Sequence, residues 1–384
     1  MREGVALAPL TTLGLGGRAR YFLEAPDGAT LAAALGWARD EGLPAVLLAG
    51  GSNVVVADAG VDGLVVRMAQ RGVRRDRARE AAEAGGDRAA AESGSGGAAA
   101  ELWTVAAGEP WDPLVERAVA AGLAGIECLS GIPGTAGATP IQNVGAYGQE
   151  VSQVIESVRV LDRSSLAERE LAPEECAFGY RDSRFRHRPE RHAVLAVTFR
   201  LAPGGAAATR YPELARAVAA TGEPPTLAAV RRTVLALRRA KSMVIEPGDD
   251  NRRSVGSFFV NPVLPAAEAE AVVARALAAG AARDPTEVPR FAAGAGPAGP
   301  AGQVKLSAGW LIERAGFPKG TRRGAVGISS RHALALVHHG GGTTADLLAL
   351  AREVRRAVRD RFGVTLRPEP VFLGFGEADP LSSA

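Results

Sequence analysis

Residues 130–148 leave the chain few folds to choose from. They read SGIPGTAGATPIQNVGAYG, with glycine at 131, 134, 137, 145 and 148 and proline at 133 and 140. Proline lacks the N–H a helical ladder needs, and glycine loses the most backbone freedom on ordering, so neither a regular helix nor a long strand forms there. A plain surface loop has no need of the Ile, Val and Tyr threaded between those glycines. Small residues that let the backbone approach a flat ligand, with Gln142 and Asn143 as donors and acceptors, fit a binding loop. The rest of the fold has to be built around it.

The chain is long enough to do so. With 384 residues, 47% of them apolar, it is expected to form two or three domains with real cores. Lys+Arg 45 against Asp+Glu 42 leaves a net charge of +3, too balanced for a protein whose main partner is nucleic acid. Cys128 and Cys176 are the two cysteines, which excludes a disulfide-rich scaffold and a cysteine-ligated metal cluster. The opening MREGVALAPL has no apolar targeting core, and no apolar run approaches ~18 residues. The expectation is a cytoplasmic protein without membrane insertion. His187, His192, His332, His338 and His339 show no metal-hydrolase spacing.

Hydrophobic periodicity predicts helices over 31–41 (capped by Thr30), 113–121, 227–241, 265–279, 307–315 and 344–362. Strands are expected at 44–49, 54–56, 63–67, 103–107, 158–161, 193–201, 332–337 and 370–373, with 158–161 and 193–201 paired and 364–366 also extended. The alternation is irregular, so the fold class is α+β rather than a repeating βαβ barrel. Residues 73–101 and 281–303 are poor in large apolar side chains and read as insertions, the first with a solvated helix over 74–84 followed by a flexible Gly/Ser stretch.

Other segments carry candidate chemistry. Gly50, Gly51, Ser52 and Asn53 follow a buried strand, where paired glycines let backbone N–H groups converge on an anion; a tight turn explains them equally well. No GxGxxG opens a helix after a strand, which disfavours a Rossmann site. In VGSFFVNP (255–262), two phenylalanines fix a strand or turn that positions Ser257 and Asn261; no His–Asp pair makes Ser257 a nucleophile. In FGYRDSRF (178–185), Arg181 lies among aromatics, where a guanidinium pairs with a carboxylate, a ligand's or that of Asp182. Glu369, between Pro368 and Pro370, is either a solvent-facing strand end or a carboxyl whose rigid apolar setting raises its pKa for proton transfer.

In this order and spacing, GGSN, GIPGTAGATPIQNVGAYG, FGYRDSRF, GSFFVNP and RPEPVF resemble the UDP-N-acetylenolpyruvoylglucosamine reductase family, MurB, from about residue 10 to 374. The resemblance implies a two-subdomain FAD-binding fold of the vanillyl-alcohol-oxidase/PCMH type plus a C-terminal α+β substrate-binding domain. The implied bounds are 1–69, 70–235 and 236–384, with the last strand returning towards the flavin site. It implies non-covalent FAD, NADPH as hydride donor, a UDP-sugar substrate and a monomer. Arg181, Ser257 and Glu369 match the family's catalytic residues: Arg181 for the substrate carboxylate and enolate charge, Ser257 for the proton to C2, Glu369 for the enol. Gly50, Gly51, Ser52, Asn53, Ser130, Pro133, Gly134, Thr135, Gln142, Asn143, Gly145, Ala146, Tyr147 and Arg238 are the implied FAD contacts. Tyr211, Lys241 and Asn261 are the implied substrate contacts, Tyr211 on the loop of the longer subtype. After Lys241 the family's Leu-Pro is replaced by Ser242-Met243. A covalent-flavin oxidase of the same superfamily is the main rival; Cys128 is the nearest candidate attachment point, since neither glycine-rich segment holds a histidine. A regulatory protein that has lost activity is disfavoured by Arg181, Ser257 and Glu369 standing together.

Overall fold

The computed structural model describes residues 1–77, 99–292, 302–377 and 379–382, and these form an α+β fold. The chain divides into two compact units. One comprises Met1–Leu23, Ala38–Val66 and Arg238–Ala384, the other Glu24–Trp37 and Arg67–Leu237.

The first unit holds a sheet ordered Arg2–Ala6, Arg18–Ala25, Val61–Met68, Ala45–Leu48, packed through Phe22, Leu48, Val56 and Val65. Strand Val54–Val56 pairs in parallel with Val371–Leu373, so segments far apart in the sequence meet in one ladder. Helices Ala266–Ala278, Ala308–Arg314 and Thr344–Phe362 share a core with Phe258, Phe259, Leu311, Val354 and Phe362. Helix Thr344–Phe362 falls on the bounds its periodicity predicts, and its start is held twice. Thr343 and Asp346 form a capping box, while the two Asp58 carboxylate oxygens accept from Thr344 N (2.7 Å) and Ala345 N (2.8 Å).

The second unit is built on an antiparallel sheet ordered Glu168–Leu171, Ile155–Asp162, His192–Pro203, Glu101–Ala106, Val73–Arg77. The predicted pairing of 158–161 with 193–201 is present, Val158 opposite Val197. Its core gathers Trp103, Trp111, Leu114, Val197 and Phe199, with the Trp111 and Phe199 rings 5.6 Å apart.

Several expectations are corrected. Residues 73–77 are a strand opposite 101–105, not the start of a helix; Arg75 lies over the Trp103 ring at 4.2 Å, and the charged side chains suit a sheet edge. The rest of the expected helix and the Gly/Ser stretch lie outside the described residues. The first helix, Gly28–Asp40, is capped by Asp27, which accepts from Thr30 N at 2.7 Å, and not by Thr30. Around the second insertion, Ala281, Ala282 and Val288 are core residues, and Arg290–Ala292 pairs with Gln303–Leu306. Residues 257–260 and 364–366 are not strands; Phe258, Phe259, Val364 and Leu366 are buried in the core.

Candidate active site

In the first unit, the turn 50–53 links two strands. Gly51 has φ +65°, and a Cβ there would come within 2.1 Å of the Leu10 carbonyl oxygen, so no other residue fits. Thr12 N donates to Gly51 O (3.0 Å), Val371 N to Asn53 O (3.0 Å), and Asn53 Nδ2 to Glu369 O (3.5 Å). Glu369 N donates in turn to Phe258 O (2.8 Å), and Phe258 N to Leu334 O (2.7 Å). Phe258 and Phe259 are buried and meet edge to face at 5.1 Å, so the backbone on which Ser257 sits is clamped. Ser257, Glu369 and the turn 50–53 therefore share one backbone frame, although 316 positions separate Asn53 from Glu369.

Asn261 Oδ1 accepts from Ala308 N (2.9 Å), at the start of helix Ala308–Arg314. At the end of helix Leu227–Ala240, Ser242 has φ +54° and Met243 N reaches back to Arg238 O (2.8 Å), while Arg238 Nη2 donates to Met243 O (2.8 Å). The replacement Ser242-Met243 thus forms a left-handed helix stop just past Lys241.

In the second unit, the glycine-rich loop is pinned from outside. Arg231, buried, holds Asp112 bidentately (2.6 and 3.0 Å), and Asp112 Oδ1 accepts from Gly131 N (2.6 Å). Ser130 is buried and donates to Glu127 O (2.6 Å). Glu127, also buried, accepts from Gly125 N and Ala208 N, both at 2.8 Å. Asp112, Glu127 and Arg231 position the loop and were not singled out in the sequence. A charged residue inside an apolar helical stripe, as Arg231 is, was the available signal.

Further along, the Asn143 side chain is taken up by residues beyond the loop: Nδ2 donates to Glu150 Oε2 (2.9 Å) and Gly179 O (3.0 Å), and Oδ1 accepts from Ser152 N (3.1 Å). Gln142 Oε1 accepts from Arg186 Nη1 (3.1 Å). Gly145–Ala146 and Gln149–Glu150 form a hairpin with Tyr147 (φ +50°) and Gly148 (φ +82°) at its tip, the type I′ pattern that normally calls for Asn-Gly. The Tyr147 ring meets Tyr211 edge to face at 5.7 Å. Burial, with Glu213 and Tyr180, pushes the Tyr211 hydroxyl above its ordinary pKa. Arg181 (φ +53°) donates through Nη1 to Asn143 O (3.4 Å) and through Nη2 to Gly145 O, beneath a 5.4 Å stack on Tyr180. Asp182 faces His187 at 2.8 Å. Arg181 is thus bolted to the loop, and Asn143, Tyr147 and Arg181 all hold left-handed backbone that non-glycine residues rarely adopt.

The residues present fit FAD. Thr135 Oγ1 is buried with no hydrogen-bond partner among the described residues, in the loop expected to face the cofactor. Cys128 does not fit covalent attachment: its Sγ donates to Ala208 O (3.3 Å), and burial pushes the thiol pKa up to about 12.

Fold and loops together define a flavoprotein: residues 19–165 match the family model of the FAD binding domain. Residues 247–373 match that of the UDP-N-acetylenolpyruvoylglucosamine reductase C-terminal domain. A UDP-N-acetylenolpyruvoylglucosamine reductase of Streptomyces coelicolor is 48% identical over 96% of this chain and 89% of its own length, and one of Nocardia farcinica 47% over 97% and 90%. The crystal structure of UDP-N-acetylenolpyruvylglucosamine reductase (MurB) from Thermus caldophilus has a similar fold, with TM-score 0.60 at 24% identity over 96% of this chain and 97% of that one. The chain belongs to the UDP-N-acetylenolpyruvoylglucosamine reductase family, whose members are FAD-dependent oxidoreductases.

Proposed function

We propose that this chain reduces UDP-N-acetylglucosamine enolpyruvate to UDP-N-acetylmuramate for peptidoglycan precursor synthesis, with FAD as cofactor and NADPH as reductant. The observation that carries this reading is 48% identity, along 96% of the chain, to a relative named for that reduction. When bound, FAD supplies the hydride that it takes from NADPH and that ends at C3 of the enolpyruvyl group.

Each candidate residue then has work suited to its chemistry. Arg181 pairs with the substrate carboxylate and stabilises negative charge as it develops, a role for a guanidinium already fixed before substrate arrives. Glu369 hydrogen-bonds the enol as a protonated acid. Ser257 delivers the proton to C2; a hydroxyl is a weak acid, so neighbouring cationic or hydrogen-bonding groups assist it as the enolate forms. Lys241 places a point charge on the substrate phosphates, Tyr211 folds over the UDP portion, and Asn261 adds a polar contact. Gly50, Gly51, Ser52 and Asn53 hold the FAD pyrophosphate. Ser130, Pro133, Gly134, Thr135, Gln142, Asn143, Gly145, Ala146 and Tyr147 line the cofactor, mainly through backbone, and Arg238 contacts the flavin. The protein works in the cytoplasm as a monomer; among the described residues no helix is long and apolar enough to cross a membrane.

Ser257→Ala tests the assignment in a single turnover. The variant should bind FAD and be reduced by NADPH at the wild-type rate. Its reoxidation by substrate should slow by roughly 100-fold or more, the scale of a lost general acid. Wild-type reoxidation in that variant removes Ser257 from the mechanism.

A further inference from the structure

The first unit carries a cavity of about 510 Å³ to which no step of the proposed reaction has been assigned. Its lining includes Arg252, Arg253, Arg322, His338 and His339. A three-stranded sheet, Arg322–Arg323, Val326–Ile328, Leu336–His338, sets their spacing. Arg322 lies on one outer strand. At the other edge, His338 N donates to Arg253 O (2.9 Å) and Ser254 bridges to Val337, which brings Arg253 alongside. Between them is Gly327, where a Cβ would stand 3.3 Å from His339 Nε2, so the His339 ring lies across the bare strand.

The charge in this cavity is left unbalanced. Two other arginines of the chain, Arg231 and Arg355, are paired with the carboxylates of Asp112 (2.6 Å) and Asp379 (2.6 Å). Arg253, half-buried, makes no side-chain hydrogen bond or ion pair among the described residues. Arg252 donates to Asp249 O (3.0 Å) and Arg322 to Gly324 O (3.0 Å), backbone carbonyls that satisfy an N–H without cancelling a charge. The carboxylate in the lining, Asp250, is exposed, as is Arg322, while Arg252 and Arg253 are half-buried. The His338 ring is held at both nitrogens, Nδ1 against Leu13 O (3.2 Å) and Nε2 accepting from Gly342 N (3.2 Å). Burial and Arg322 hold the His339 pKa below its ordinary value, against an opposing pull from Asp250. Three guanidiniums therefore face one carboxylate in a space of small-molecule size, and guanidinium forks match oxyanions bidentately.

We propose that this cavity binds a small molecule bearing a phosphate or diphosphate group, held on Arg253 with Arg252 and Arg322 beside it. The inference goes beyond the proposed reduction and stands whether or not that reading holds. Titration calorimetry of the FAD-loaded full chain with inorganic pyrophosphate, at low salt, tests it. One saturable site is expected, weakened tenfold or more by Arg253→Gln and, independently, by Arg322→Gln, with each variant keeping the wild-type flavin spectrum and melting temperature as evidence of folding. Arg253→Lys should fall between the wild type and Arg253→Gln, since it keeps the charge and loses the fork. Any one of three results overturns the proposal: no saturable binding, unchanged affinity in both Gln variants, or loss of binding once the chain is saturated with UDP-N-acetylglucosamine enolpyruvate, which would assign the pyrophosphate to the substrate site.

Discussion

Thr135 has a buried hydroxyl with no partner among the described residues, and an unmet buried polar group costs roughly 1–3 kcal/mol. If FAD meets that need, Thr135→Val has two effects of opposite sign. The FAD-free protein should melt higher than wild type, and FAD affinity, read by flavin fluorescence, should fall about tenfold. A variant with wild-type affinity would mean that the hydroxyl serves something else. His192 shows a comparable conflict: both ring nitrogens are buried without partners among the described residues, and burial lowers its pKa, opposed by Asp162 and reinforced by Arg191, Arg184 and Arg169. The unfolded chain therefore takes the proton first, and stability falls as pH drops below the unfolded value of about 6.5. Melting temperature should decline more between pH 7.5 and 5.5 in wild type than in His192→Leu; equal slopes would contradict this. Legibility at this scale was uneven. Glycines that need positive φ announce themselves in a sequence, but Asn143, Tyr147 and Arg181 occupy the same region as residues that ordinarily avoid it. Only the bonds around the folded loop account for them.

Elements with their own local signals were readable. Helix Thr344–Phe362 has a capping box, an apolar stripe and Gly363 (φ +74°) as its stop, and its predicted bounds agree with the structure. What the sequence could not display is Asp58, nearly three hundred residues upstream, on the first two N–H groups of that helix. A carboxylate there joins a capping bond to the helix dipole, so Asp58→Ala should lower unfolding stability by about 1–2 kcal/mol, measured as a reduced denaturant midpoint. No change would show the second tie to be redundant beside Thr343. The strand Val73–Arg77 went unread for a related reason. Its Arg-rich composition carries no strand signal, and only pairing with Glu101–Ala106 decides its conformation. Likewise 257–260 has strand-forming residues but pairs with no full strand; buried phenylalanines and single backbone bonds hold it.

At the scale of the molecule, the motifs recoverable from the sequence are those whose backbone is constrained by glycine and proline, because few residues substitute there. The order of GGSN, the long glycine-rich loop, FGYRDSRF, GSFFVNP and RPEPVF sufficed to place the chain in its family, and the FAD-binding and C-terminal domain matches agree with that. Each of the two units is assembled from separated stretches, and strand Val371–Leu373 returns to pair beside residue 54. The central claim is that this assembly carries hydride from NADPH to an enolpyruvyl sugar through bound flavin. An anaerobic absorbance experiment on the purified protein tests it directly: record the flavin spectrum, add NADPH, then add UDP-N-acetylglucosamine enolpyruvate. The account predicts a yellow protein that bleaches with NADPH and regains its colour with substrate in the absence of oxygen. Colour that returns only when oxygen is admitted, or a protein that takes up no FAD, would contradict it.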